Sequence, residues 1–178
     1  NRWFRDQFAA FRANWVQGML DGVDPLRDRM TLMWHGVFTS SFETVKRPAL
    51  LIEQHRLLRT HALGSYSVLL QAMLQDPALL TYLDNDDNRK GKPNENLARE
   101  VMELFSLGEG NYSEVDIREA ARSLTGAGVT QQLDLAAYRF NSKRHDSDPK
   151  TILGVTGTHG PGDLGEIILE QPACAAFI

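Results

Sequence analysis

The polar run at residues 84–92 is the part of the sequence whose residue types and spacing best suit a chemical role, because none of its nine residues carries an apolar side chain. Asp84, Asp86 and Asn88 stand at positions 1, 3 and 5 of a calcium loop of the EF-hand type, and Glu95 stands at position 12. Alternate residues of a tight loop direct their oxygens at one point, so these four are candidate ligands of a divalent cation, with calcium favoured. Arg89 occupies the position where an EF-hand requires Gly, so a true EF-hand is not expected. The alternative is a solvated loop that caps the next helix without an ion.

Two carboxylates and two histidines are candidates for acid–base catalysis. Glu100 and Glu103 lie about one turn apart on the helix that follows the loop, where they could line a pocket for proton transfer or metal binding. The same helix also allows a surface ladder of ion pairs through Arg99, so both interpretations stand. His35 and His145 are the candidate partners, although a His on an apolar helix, such as His35, is also typical of a core residue with one hydrogen bond. No serine-nucleophile, zinc-protease or phosphate-loop motif is present.

Helices must position these residues, because helix-start signals and helical spacing of apolar residues recur through the first 126 residues. Asp-Pro pairs at 24–25 and 76–77 place an N-cap residue before a proline at the first helical position. Further helices are predicted to begin at Pro48, Ser65, Pro93 and Ser113, the last with a capping box completed by Asp116.

From residue 127 to 162 the pattern is irregular, and Gly and Pro are frequent. The alternating run Leu133–Phe140 predicts a small hairpin, and helices are predicted to begin at Asp163 and Pro172. The predicted fold is therefore mainly α: a multi-helical bundle with an irregular, β-hairpin-containing excursion around 127–162, in a single domain over residues 1–178.

The first helix carries a stripe of large apolar residues at helical spacing. The stripe consists of Phe4, Phe8, Phe11, Trp15 and Met19. It must pack on something, and both the core of the same domain and the surface of a partner are open interpretations.

Charge and composition exclude several classes of protein. Residues 1–70 hold nine Lys/Arg and six Asp/Glu, and residues 71–178 hold ten and seventeen, so net charges of +3 and -7 sum to the overall -4. With a pI near 5.7, a nucleic-acid partner is not expected. Cys174 is the sole cysteine, which excludes an internal disulfide. No apolar run approaches the roughly 18 residues of a membrane helix, so no membrane span is predicted in this segment.

Several longer motifs occur in a fixed order, namely RMTLMWHGVFTSS at 29–41, LRTHALG at 58–64, DPALLTYLDN at 76–85 and PNENLAREVMELF at 93–105. They are followed by YSE at 112–114, EAAR at 119–122, LTG at 124–126, the His145-Asp146 pair and KTILG at 150–154. In this combination the chain resembles, over about residues 25–178, the bacterial family known as domain of unknown function 1800.

The resemblance implies a larger parent protein, of which this chain would be the central part, and a secreted or cell-envelope setting. It implies no reaction, because the family is uncharacterised. The family's Trp-His-Gly motif is usually followed by a second His, and Val37 stands in its place here, which weakens the case for a His-based metal centre. The fixed polar positions of the family correspond to Asp84, Asn85, Asn94, Glu95, Asn96, Arg99, Glu100 and Glu103.

Two functions are expected from these observations. The favoured one is a non-enzymatic helical module of an envelope or secreted protein, with a rigid polar centre that a bound cation could stabilise. Such a module would act in binding or assembly, and its partner would be the remainder of the parent chain or an assembly partner docked on the Phe4–Met19 helix. The alternative is a metal-assisted, hydrolase-like enzyme that uses Glu100 or Glu103 with His35 or His145.

Overall fold

Helices dominate the computed structural model, which describes residues 2–130 and 136–178, so the prediction of a mainly α fold is confirmed. No helix among these residues is both long and apolar enough to cross a membrane. The helices of the described residues are α1 (Arg2–Asp21), α2 (Pro25–Val37), α3 (Phe42–Val45), α4 (Pro48–His61), α5 (Tyr66–Met73), α6 (Pro77–Tyr82), α7 (Asn96–Glu100), α8 (Glu114–Ser123), α9 (Pro161–Leu169) and α10 (Pro172–Phe177).

Side-chain caps fix the starts of three helices that position the site. The carboxylates of Asp24 and Asp76 accept hydrogen bonds from the first-turn amides of α2 and α6, in each case before a proline. Ser113 and Asp116 form the predicted reciprocal capping box at the start of α8. These caps satisfy amides that the helix itself leaves unpaired, so the predicted starts of all three helices are confirmed.

The helix after the polar loop differs from its prediction. It begins at Asn96 and not at Pro93, which lies exposed in the loop. After Glu100 the chain continues as a π-helical turn, Val101–Ser106, in which the Ser106 hydroxyl donates to the Val101 carbonyl at 2.5 Å. A π turn widens the helix by a residue and changes which side chains share a face, and such turns often accompany functional sites.

Two short antiparallel strand pairs form the β part of the 127–162 excursion. Strand β1 (Ala127–Val129) pairs with β2 (Tyr138–Phe140), and β3 (Lys150–Ile152) pairs with β4 (Val155–Gly157). Part of the predicted Leu133–Phe140 hairpin, residues 133–135, lies outside the described residues. The helix expected at Asp163 begins two residues earlier, at Pro161.

The core is built by every long helix except the first. Fully buried side chains from α4, α5, α6 and α8 meet those of the π turn in one continuous cluster, which includes Leu58, Leu70, Leu79 and Met102. Helix α1 contributes no buried residue and lies against α4 from outside. The main cluster therefore contains no residue of α1, whereas Phe8 of α1 packs at partial burial against a second, smaller cluster of Val45, Leu50, Leu51 and Ala78.

Candidate functional site

The polar loop is held in a fixed shape by two buried asparagines. Asn85 and Asn88 are both 0% exposed. The Asn85 amide donates to the carbonyls of Leu124 and Ala127, at 3.3 and 2.9 Å. These bonds fasten the loop to the end of α8 and to β1, more than 30 residues further along the chain.

Asn88 completes this network. Its amide donates to Asn85 Oδ1 at 3.1 Å and to the Ala121 carbonyl at 2.9 Å, and its own Oδ1 accepts from the backbone amide of Asn94 at 3.0 Å. Two bonds donated by the amide nitrogen and one accepted by the oxygen therefore join the side chain to the protein. A buried amide with such a complete set of partners stabilises one loop conformation.

The other proposed ion ligands do not share a common partner. Asp86 Oδ1 accepts from the Val129 amide at 2.6 Å, and Gly128 is required beside it because an added Cβ would overlap that oxygen. Glu95 contacts Arg99 at 3.4 Å. Asp84 is exposed and has a left-handed backbone, with φ of 55°. Among the described residues, no three His, Cys, Asp or Glu side chains are grouped as a metal site would require.

Glu100 and Glu103 lie near each other but differ in their partners. The Glu103 carboxylate accepts a hydrogen bond from the Tyr112 hydroxyl at 2.8 Å. Glu100 has no hydrogen-bond or ion-pair partner among the described residues and lies at the wall of a groove of about 740 Å³. Burial, and then the neighbouring charge of Glu103, raises the pKa of Glu100, while Arg99 acts in the opposite direction.

His35 is paired with a histidine that the sequence did not single out. His35 Nε2 lies 3.1 Å from His55 Nδ1, which joins α2 to α4. The ring of Trp15 from α1 covers both imidazoles, with ring centroids 4.8 and 4.5 Å away. Burial lowers the pKa of each histidine to about 4, assisted by His55 in the case of His35 and by Arg59 in the case of His55. Both imidazoles are therefore neutral at pH 7, and they form the surface against which Trp15 of α1 packs.

His145 lies in a different part of the molecule. Its Nδ1 is 2.9 Å from the Thr125 carbonyl, and its ring lies 5.2 Å from that of Phe140 on β2. Within the described part of the chain, it forms no hydrogen bond, ion pair or ring contact with Glu100 or Glu103. The residue thus closes the turn between α8 and the β excursion.

A buried ionic cluster next to His145 was missed in the sequence. The Lys150 side chain is 1% exposed, and its ammonium donates to the carbonyls of Asp146 and Asp148. Arg122 donates to the Asp146 carboxylate at 2.8 Å, which holds the pKa of Asp146 at about 2. Alternation on a three-residue strand is too short a signal to predict a buried lysine.

The expected site residues therefore occupy separate places. Asp86 and Asn88 belong to the loop network, Glu100 to the groove, His35 to the α1–α4 contact, and His145 to the β excursion. No hydrogen bond joins any two of the four proposed catalytic side chains. The missed partner His55 could not be found from sequence because its pairing with His35 spans 20 residues and two helices.

The fold and these polar networks define a helical domain with a rigid loop clamped onto its own backbone. The chain belongs to the DUF1800 family of proteins of unknown function, whose family model matches residues 1–178. The match includes the first 24 residues, which the motifs in the sequence did not reach. No match was found among curated proteins or among solved structures.

Proposed function

We propose that this chain is a non-enzymatic helical module of a bacterial envelope or secreted protein and that it acts in binding or assembly through α1. The polar motif would be the structural centre of the module. Two observations support a non-enzymatic role: the motif's amides serve the backbone, and the four catalytic candidates are not joined to one another. The bacterial envelope setting rests on the family resemblance.

The observation that carries the proposal is the exposure of apolar residues along α1. Over its 20 residues no side chain is buried. The stripe from Phe4 to Met19 packs at half-burial on the domain, with Phe8 stacked 4.9 Å from Phe42. Outside the stripe, Trp3 and Leu20 remain 61% and 75% exposed. Such a concentration of exposed apolar groups marks interaction surfaces.

A groove between α1 and α3 indicates which partner fits this surface. It has a volume of about 650 Å³, and its apolar part is formed by Phe4, Phe8, Ala9 and Phe42. Among the residues that the structure describes, three cations, Arg5, Arg12 and Lys46, and one anion, Glu43, line it. None of the three cations has an ion-pair partner among the described residues.

Charge complementarity therefore favours an acidic amphipathic segment as the partner. The apolar side chains of such a segment would enter the groove as anchors, and its carboxylates would meet the surrounding cations. Helix α1 would serve as one wall of the binding site and not merely as a tether.

The test uses two synthetic 18-residue helices with the same leucine pattern, one with Glu and one with Lys at the remaining positions. Fluorescence of the tryptophans, two of which are in α1, should report saturable binding of the Glu helix alone. Combining Arg5→Glu with Lys46→Glu should weaken that binding by about tenfold or more, because two favourable charge contacts become repulsive. Arg118→Glu, an exposed site on α8, is the matched control and should leave binding unchanged.

Equal binding of both helices would indicate non-specific apolar adhesion and would contradict the proposal. Failure of the Glu helix to bind at all would also contradict it. Binding to phosphatidylglycerol vesicles that is tighter than binding to the Glu helix, with the same dependence on Arg5 and Lys46, would contradict the peptide partner and indicate a lipid surface instead.

A further inference from the structure

The groove beside Glu100 is separate from the α1 surface. Its walls come from the end of α2, the turn that follows, α3, α6, α7 and the π turn. Its volume of about 740 Å³ lies within the range that is typical of small-molecule sites, about 300–1,000 Å³. No residue lines both this groove and the α1 groove, so this inference goes beyond the proposed function and does not depend on it.

Among the described residues, two charged side chains line the groove, and one of them is already neutralised. Arg99 donates through both terminal nitrogens to Glu114, at 2.9 and 2.8 Å, and also contacts Glu95. The other is the Glu100 carboxylate, which has no hydrogen-bond or ion-pair partner in the part of the chain that the structure describes. Partial burial of an unpaired carboxylate costs free energy, and a cation placed beside it would recover that cost.

The remaining walls determine what kind of cation fits. Val37, Leu83, Leu104 and Phe105 give the groove an apolar surface, and Tyr82 adds an aromatic ring. Calcium requires six to eight oxygen ligands, which one free carboxylate and a few hydroxyls do not supply. A cation with an aliphatic stem matches both parts: the stem lies on the apolar wall, and the charged head meets the carboxylate.

We propose that this groove binds an alkylguanidinium or alkylammonium group, with Glu100 as its counter-ion. The ligand is a cationic head on an aliphatic stem, as in a small free amine or in an arginine or lysine side chain of a peptide. Tyr82, which lines the groove, adds an aromatic ring, a group that attracts such cations.

Binding is tested by titrating the isotopically labelled chain with n-butylguanidinium and following backbone amide resonances. The resonances of Val37, Asn96 and Leu104 should shift saturably, whereas butyrate, of similar stem and opposite charge, should shift none of them. Glu100→Gln should weaken binding by about tenfold or more, because it removes the counter-ion. Glu166→Gln is the matched control, since that exposed carboxylate lies on α9 and does not line the groove. It should change affinity by less than about twofold.

A measurement on the unmutated chain keeps the proposal testable if the Glu100 variant does not fold. Bound n-butylguanidinium should lower the pKa of Glu100, read from its carboxyl carbon resonance, because a nearby cation favours the ionised form. An unchanged pKa, absent saturation, or equal shifts with butyrate would overturn the proposal. The same Glu100-dependent shifts produced by calcium chloride at lower concentration would also overturn it, in favour of a metal site.

The source of the cation is resolved by a second ligand, a pentapeptide with a central arginine flanked by alanines. An affinity about tenfold above that of n-butylguanidinium would support the proposal and identify a peptide as the ligand. Equal affinity would support it with a free small cation as the ligand.

Discussion

Replacing Asn88 with aspartate separates the two interpretations of the polar motif, because the change preserves the side chain's shape and alters only its hydrogen-bonding donors. The native amide donates to Asn85 Oδ1 and to the Ala121 carbonyl. After the substitution both acceptors face a carboxylate oxygen, and only the bond from the Asn94 amide is retained. In a calcium loop the same substitution would add a charged ligand and favour the ion. The structure instead predicts a large loss of stability.

The magnitude follows from burial and from the number of bonds lost. Two donated hydrogen bonds contribute about 1 kcal/mol each, and an uncompensated charge at a fully buried position typically costs about 3–5 kcal/mol. Because these contributions overlap, the expected decrease in unfolding free energy at pH 7 is about 4 kcal/mol. In a chain of this size each kcal/mol lowers the melting temperature by about 2–4 °C, so the expected decrease is about 8–16 °C.

The loss should also depend on pH with a definite sign. Burial raises the pKa of the introduced carboxyl in the folded state above its unfolded value of about 4. The penalty is therefore complete above the folded-state pKa and shrinks as pH falls towards 4, where the protonated acid can donate one hydrogen bond again. The difference in melting temperature between the parent chain and Asn88→Asp should narrow over that range.

The assay is thermal unfolding followed by circular dichroism at several pH values, in the absence of calcium and in about 1 mM calcium. Asp87→Asn is the control, because Asp87 is exposed in the same turn and should change the unfolding free energy by less than about 0.5 kcal/mol. A melting temperature for Asn88→Asp equal to that of the parent would refute the reasoning. So would recovery of its stability by calcium alone.

Three further predictions use other parts of the molecule. Chelation of the purified chain should leave its melting temperature unchanged, and elemental mass spectrometry should find no stoichiometric ion. A bound ion whose removal lowers the melting temperature would instead support a cation site in the polar loop. Lys150→Met should lower the unfolding free energy by about 2 kcal/mol in urea denaturation, because the carbonyls of Asp146 and Asp148 lose their donor, whereas the exposed Lys143→Met should be neutral. The pKa values of His35 and His55 are lowered to about 4, so stability present above pH 6.5 should be lost as pH falls towards 4. Burial also raises the pKa of Asp76 to about 6, so this group should add stability as pH falls over the same range. The loss of stability is therefore compared between the parent chain and the double variant His35→Gln/His55→Gln, in which the loss should disappear.

Local signals were sufficient to predict where most helices begin. Asp24, Asp76 and Ser113 cap helices because their side chains reach amides only two or three residues ahead, a relation contained in the sequence itself. The prediction failed at Pro93, where proline is compatible with a helix start but the chain first completes the Asn88–Asn94 contact. The helix consequently begins at Asn96. A hydrogen bond across six residues overrode the preference of a single residue.

The candidate site was predictable only in part, for the same reason. The sequence identified the polar loop and the two glutamates, but their roles depend on partners distant in the chain. Asn88 reaches Ala121, 33 residues away, and Lys150 becomes buried only when the β excursion folds onto Arg122 and its neighbours. Periodicity contains no information about such contacts.

The clamp formed by Asn85 and Asn88 has a consequence for how the chain acquires its structure. Its carbonyl partners lie 33 to 42 residues downstream, so a nascent chain that ends before residue 121 has nothing to which these amides can attach. The loop thus cannot be fixed until α8 and the start of β1 are present, although Asn85 and Asn88 precede their partners there by more than 30 residues. Once it is fixed, the amides of Asn94 and Val129 should exchange with solvent mainly when the whole domain opens, and their protection should report the free energy of global unfolding.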